Sequence, residues 1–220
     1  MGVRTGTDAD EVLAGSLKAD RFYGRGGDDV LDGGRGRDVL FGDLGDDTLD
    51  GGIGNDFLEG GAGDDTFRDD DGTDVFKGGL GDDTFDLFGD PGKVALGGPG
   101  DDLFLSVGYH DATLTGGRGA DRYVVGSAYF GTEPDRSADR ITDFNVDQGD
   151  VIDLSMWTDA TGAPLAFIGD AAFSGAAGEV RFEVEDGTTV VQADFEGDGL
   201  LNVVLPLSGD VALTEANFVL

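Results

Sequence analysis

The chain has 220 residues, 46 of them acidic and 14 basic, giving a formal charge of -32, and it contains 41 glycines and no cysteine. That balance argues against nucleic acid, whose phosphates need Lys and Arg, and against anionic membrane surfaces; it favours cations. Disulfides and thiolate metal sites are excluded, and no apolar run approaches the roughly 18 residues of a membrane-spanning helix, so no membrane insertion is expected. An acidic, glycine-rich composition ordinarily describes a disordered chain. Here 39% of residues are hydrophobic and 15 are Phe, so the expectation is a fold conditional on a neutralising cation. Met1–Asp20 lacks the apolar segment of a signal peptide.

From Gly6 to Asp86 the chain divides into nines without a break. Weak units start at Gly6, Gly15 and Gly24. Clear ones follow: GGRGRDVLF (Gly33–Phe41), GDLGDDTLD (Gly42–Asp50), GGIGNDFLE (Gly51–Glu59) and GGAGDDTFR (Gly60–Arg68). After the degenerate unit Asp69–Lys77 comes GGLGDDTFD (Gly78–Asp86). A ten-residue unit (Leu87–Leu96), GGPGDDLFL (Gly97–Leu105), a second ten-residue unit (Ser106–Thr115) and GGRGADRYV (Gly116–Val124) complete the series. Asp-Asp pairs occur only in alternate units, at Asp28, Asp46, Asp64, Asp82 and Asp101, so a second period of eighteen underlies the first.

Each unit has a glycine-rich half suited to a tight turn and a half of form x-U-x, with U large and apolar, long enough only for a short strand. Stacked coils would pair each strand with its neighbour one turn away. The expected architecture is all-β: a right-handed parallel β-roll with two nonapeptides per turn over residues 1–124, then a β-rich capping region over 125–220. Two apolar columns are predicted: Leu31, Leu49, Phe67, Phe85, Phe104 and Tyr123 on the first side, and Phe22, Leu40, Leu58, Phe76 and Leu114 on the second. The drift from Leu to Phe predicts a wider, better filled core towards the C-terminus.

Stacking would place one Asp every eighteen residues at a strand spacing of about 4.8 Å. Such a stack repels itself unless a cation enters. Ca²⁺ accepts 6–8 oxygens from carboxylates and carbonyls with loose geometry. Zn²⁺ is disfavoured by the absence of Cys and by a single His, His110, read here as lying on a solvent-facing bulge; Mg²⁺ is disfavoured by its strict octahedron.

This pattern, GGxGxDxUx in tandem over Gly6–Val124, resembles the RTX (repeats-in-toxin) family. The resemblance implies that the sixth-position Asp and the glycine carbonyls of two stacked turns share one calcium ion. Carried onto this sequence, the first side offers Asp29, Asp47, Asp65, Asp83, Asp102 and Asp121, and the second offers Asp20, Asp38, Asp56 and Asp74. The carbonyl donors would be Gly45, Gly52, Gly54, Gly61, Gly63, Gly79, Gly81, Gly98, Gly100, Gly117 and Gly119. About eight ions are expected. Glu11, Ala9 and Lys18 weaken the first coils, and Asp69 and Asp70 stand where Asp69–Lys77 should have glycines. Lys93 occupies a unit with no aligned Asp, so the second side is expected to stop binding calcium after Asp74 while the first continues to Asp121.

Beyond Val124, Asp139–Phe144 and Gly149–Ser155 read as short strands, Glu179–Val184 and Thr189–Asp194 as a hairpin around Asp186-Gly187, and Leu200–Leu205 and Ala216–Leu220 as further strands. They are expected to cap the open end of the roll, with Trp157 in the capping core. Asp139 is a weak candidate for a last calcium ligand. Asp194–Gly199 resembles an EF-hand loop only in part, since Leu205 stands where the bidentate Glu belongs; a hairpin turn is favoured. The run DRITDFN…GDVIDLS resembles the segment after the repeats in serralysin-type proteases and in mannuronan epimerase repeat modules. That likeness implies an uncleaved type I secretion signal near Asn217–Leu220.

No HExxH, GxSxG, P-loop or Cys nucleophile occurs, so no catalytic role is expected; a catalytic domain, if one belongs to this protein, would precede Met1. The expected function is a calcium-dependent folding and secretion module, extracellular and monomeric, whose transient partner is the type I secretion machinery. The alternative is a polysaccharide- or surface-binding module, although only eleven Lys or Arg precede Val124.

Overall fold

The computed structural model describes residues 2–69, 71–108, 111–126 and 138–220; His110 lies outside them. Two long sheets face one another in a parallel β-solenoid of about seven turns, and no α-helix occurs among the described residues. The first sheet to form in chain order runs Gly2–Thr5, Asp20–Gly26, Val39–Leu44, Phe57–Ala62, Val75–Leu80, Val94–Pro99 and Thr113–Arg118, each strand parallel to the next. The second runs Val12–Ser16, Val30–Gly36, Thr48–Asp50, Thr66–Arg68, Thr84–Asp86, Leu103–Val107 and Arg122–Val125. The register is the eighteen-residue period made physical: Phe57 pairs with Val75 and Thr66 with Thr84. Where ten-residue units intervene, the step becomes nineteen, as between Asp83 and Asp102.

The sheets differ because the turns between them differ. After a strand of the first sheet, the glycine pair stays extended and keeps pairing, so Gly61 and Ala62 still match Gly79 and Leu80. Strands of the second sheet mostly stop after three residues, as in Thr66–Arg68. A very short strand was expected on both sides; only the second sheet keeps to it in its middle coils.

All eleven residues of the two predicted columns are fully buried. Along the second sheet, Phe67, Phe85, Phe104 and Tyr123 stack face to face with centroids 4.9 Å apart, which is one strand spacing. Opposite them the other column narrows to Ala95, between Phe76 and Leu114 in register. Small thus faces large across the space between the sheets.

Both sheets run on past Val124. Arg140–Ile141 extends the first and Val151–Asp153 the second, each in parallel. Val203–Ser208 and Phe218–Val219 then pair with these strands, placing Leu207 on Ile141 and Phe218 on Ile152, and the first sheet continues through Thr188–Asp194 and Glu179–Glu185 to Ala166–Phe167. The predicted hairpin is present as Glu179–Glu185 and Thr188–Asp194, antiparallel, turning at Asp186 (φ 48°) and Gly187 (φ 74°). Trp157 stacks on Phe195 and donates its indole N–H to the Val125 carbonyl at 2.7 Å.

Truncating the stacked column should be severe. Phe85→Ala is expected to cost about 3–5 kcal/mol in urea unfolding at saturating calcium, whereas Val184→Ala, half exposed on the hairpin, should change stability by no more than about 0.5 kcal/mol.

Candidate metal centre

Two turn edges join the sheets, and each carries a column of aspartates. On the first edge, Asp29, Asp47, Asp65, Asp83, Asp102 and Asp121 each precede a strand of the second sheet; on the other, Asp20, Asp38, Asp56 and Asp74 precede strands of the first. All ten are buried. In each, one carboxylate oxygen is fixed by the backbone of the coil before it. Asp29 N–H donates to Asp47 Oδ1 at 2.7 Å, Asp47 N–H to Asp65 Oδ1 at 2.8 Å, and Asp65 N–H to Asp83 Oδ1 at 2.9 Å. Asp38 and Asp56 do the same along the other edge, donating to Asp56 and Asp74. The exposed first Asp of each Asp-Asp pair makes a ladder of opposite sense: Asp64 N–H donates back to Asp46 Oδ1 and Asp82 N–H back to Asp64 Oδ1, both at 2.8 Å.

The other oxygen of the buried column is the informative one. Oδ2 of Asp20, Asp29, Asp38, Asp47, Asp56, Asp65, Asp69, Asp74, Asp83, Asp102 and Asp121 is buried with no hydrogen-bond partner. A native interior tolerates very few such groups, and a charged one costs several kcal/mol. Successive carboxylates one strand apart repel by roughly 3 kcal/mol per pair at an effective dielectric of about 20. The lining is oxygen throughout. The turn glycines named as carbonyl donors bring their peptides into contact from coil to coil: a Cβ on Gly63 would collide with the Gly45 carbonyl oxygen, and one on Gly81 with that of Gly63. Gly63 also sits at φ 135°, closed to other residues. At the equivalent of Gly61, earlier coils have Arg25 (φ 83°) and Asp43 (φ 76°) in the same left-handed turn. A hard cation with flexible oxygen coordination fits this set, with carboxylates from two coils and carbonyls between them; nitrogen- and sulfur-loving metals do not.

The sequence profile of the RTX calcium-binding nonapeptide repeat matches the chain in four copies, over residues 5–40, 28–58 and 50–85. This segment is built of RTX repeats. RTX repeats bind calcium, and the matched residues lie in the first coils of the roll. No curated protein sequence matches the chain. Among solved structures, the AlgE6R3 subunit of the Azotobacter vinelandii mannuronan C5-epimerase is similar at 24% identity and TM-score 0.32, over 97% of this chain and 80% of that one. The AlgE6R2 subunit of the same enzyme is similar at 22% identity and TM-score 0.35, over 82% of this chain and 89% of that one.

The two aspartate rows end differently from one another. The first edge continues to Asp150, which follows Asp121 in register: Asp121 N–H donates to Asp150 Oδ1 at 3.1 Å, while Asn145 N–H takes Asp150 Oδ2. Asp150 was legible only as part of a strand, because the step to it is 29 residues and not eighteen. Asp139, eighteen residues after Asp121, falls on the opposite edge, where its two oxygens accept the N–H groups of Ala112 and Gly108 at 2.8 and 2.7 Å. It is therefore a backbone tie of the last coil on the other edge, and does not close the first row as the spacing suggested. Asp194 accepts from Gly197 and Gly199 N–H, holding a loop between strands, in keeping with a turn. Asp69 was read as a lost glycine; it is buried with Asp56 and Asp74, and their three carboxylates lie within 4.8 Å of one another.

Burial sets the proton affinities of the column. It pushes Asp65, Asp69 and Asp102 up to about 8, Asp83 and Asp121 to about 7, and Asp47 and Asp56 to about 6, with like-charged neighbours adding to the effect. At the open end, Asp20 goes the other way, held low by the Ser16 hydroxyl. A carboxyl raised in the fold adds stability at acid pH and loses it as pH rises through its folded value. In chelator, the β-sheet circular dichroism is thus expected at pH 5 and should vanish as pH rises from about 6 to 8; saturating calcium should remove the dependence. A chelated spectrum that stays constant from pH 5 to 9 contradicts this.

Proposed function

We propose that the chain is a calcium-driven folding module of an exported protein, extended where calcium is scarce and folded by external calcium. The observation that carries it is the set of buried Oδ2 atoms without hydrogen-bond partners along the two aspartate rows, from Asp29 to Asp121 and from Asp20 to Asp74. Residues 1–124 act as the calcium-binding roll and 125–220 as its cap. The ions, about eight, lie between successive Asp residues of each row, five gaps on the first edge from Asp29 to Asp121 and three on the second from Asp20 to Asp74. Calcium supplies the positive charge; the protein supplies oxygens already spaced by strand pairing. Extracellular calcium modules bind at about 10⁻⁴–10⁻³ M, and here binding free energy would be folding free energy.

The same reading gives the C-terminus its role. Phe218 is buried and Phe218–Val219 pairs with Ile152–Asp153. A signal at Asn217–Leu220 is therefore accessible to a type I exporter only before the cap forms. Export of an unfolded monomer and folding outside are two halves of one mechanism. A second reading, attachment to polysaccharide, is favoured by one feature: Tyr23, Phe41 and Phe57 form a half-exposed aromatic strip on the first sheet, at 5.2 and 6.0 Å, with Arg21 beside it. Affinity for alginate lost in Phe41→Ala would support that reading.

Circular dichroism during a calcium titration, with magnesium as control, tests the proposal. Calcium should fold the chain at neutral pH and magnesium should not. Asp65→Ala should shift the titration midpoint at least tenfold, while Asp90→Ala, exposed, should leave it in place. A chain equally folded in chelator at neutral pH sinks the idea.

A further inference from the structure

On the second edge, the row of carboxylates stops abruptly. Val75 pairs with Val94, so the residue after Asp74 in the column is Lys93. Val94 pairs with Thr113, so the next is Ala112. Lys93 is fully buried, which is rare for lysine unless it is paired. Its Nζ lies 3.6 Å from Asp74 Oδ2, 3.4 Å from the Gly72 carbonyl oxygen and 3.3 Å from the Asp90 carbonyl oxygen. One carboxylate oxygen and two turn carbonyls from adjacent coils are the kind of oxygens a calcium ion of this row would take. Here they face the three N–H bonds of an ammonium.

The coil below is altered to match. Asp69 replaces the usual first glycine, and its Oδ2 fills the place where a Cβ on Gly51 would stand, which at Gly33 is met by the Gly51 carbonyl oxygen. Asp56, Asp69 and Asp74 bring three charges where other gaps bring two, and each keeps a buried Oδ2 without a hydrogen-bond partner. With Lys93, the formal charge of the cluster is -2, which one divalent cation balances. Two departures from the repeat, Asp69 and Lys93, thus compensate one another.

We propose that Lys93 is a tethered cation standing where the next calcium of the second row would sit, so that this row ends in one calcium held by Asp56, Asp69 and Asp74. The proposal rests on the calcium reading of the stacked aspartates. Beyond Lys93, the edge needs no ion: Asp139 is tied by Ala112 and Gly108 N–H.

Counting bound ions by native mass spectrometry separates the two ideas. Lys93→Asp rebuilds the missing ligand and is expected to bind one calcium more than the unaltered chain. Equal counts overturn the proposal, whereas an unaltered chain that binds none overturns the calcium reading beneath it. Calcium anomalous scattering from crystals of the unaltered chain decides the matter even if Lys93→Asp does not fold. Density among Asp56, Asp69 and Asp74, with none between the Gly72 and Asp90 carbonyls, is the expected map; an ion between those carbonyls, or one at Asp56 and Asp74 that Asp69 does not touch, refutes it.

Discussion

A carboxylate that is half satisfied, repeated at strand spacing, is the constraint from which the rest of this structure follows. One oxygen of each buried Asp takes the N–H of the preceding coil; the other is buried with no hydrogen-bond partner. Strand pairing and apolar burial bring these groups together, and the same closeness makes them repel. On the proposed reading, the roll is a structure whose two driving terms oppose one another until a cation enters. The glycines serve that entry: they let carbonyls approach from coil to coil at distances no Cβ would allow. The apolar columns, especially the aromatic stack, supply the cohesion that holds the frame in register while the edges are charged.

How much of this the sequence disclosed depends on whether a feature was periodic. The paired nonapeptides, both apolar columns and the eighteen-residue register were legible because each repeats many times and a single error would break the frame. The Asp columns came with them. What escaped was carried by residues that break the period. Asp150 extends the first row, but from 29 residues away across residues 122–149. Asp69 looked like damage to a turn because it occupies a glycine position, and only the fold shows that it reaches Asp56 and Asp74. Asp139 obeyed the eighteen-residue step from Asp121 and still landed on the other edge, because its partner one coil earlier is Ala112, 27 residues away and so nine more than the repeat step.

The cap is continuous with the roll in its pairing, though not in its sequence. Ile141 and Ile152 prolong the two columns that Leu114 and Tyr123 end, and Leu207 and Phe218 then cover them. The cap thus covers the apolar end of the stack and pairs the last strand edges, which would otherwise invite another chain to add.

The two hydrogen-bond ladders run in opposite directions. Along the buried row of the first edge, each Asp N–H donates to the carboxylate of the coil that follows it, ending at Asp150. The cap is tied to Gly116 and Gly117 by Asp143. On the buried row the cap holds the last acceptor, whereas on the exposed ladder the first acceptor is Asp10, at the opposite end of the roll.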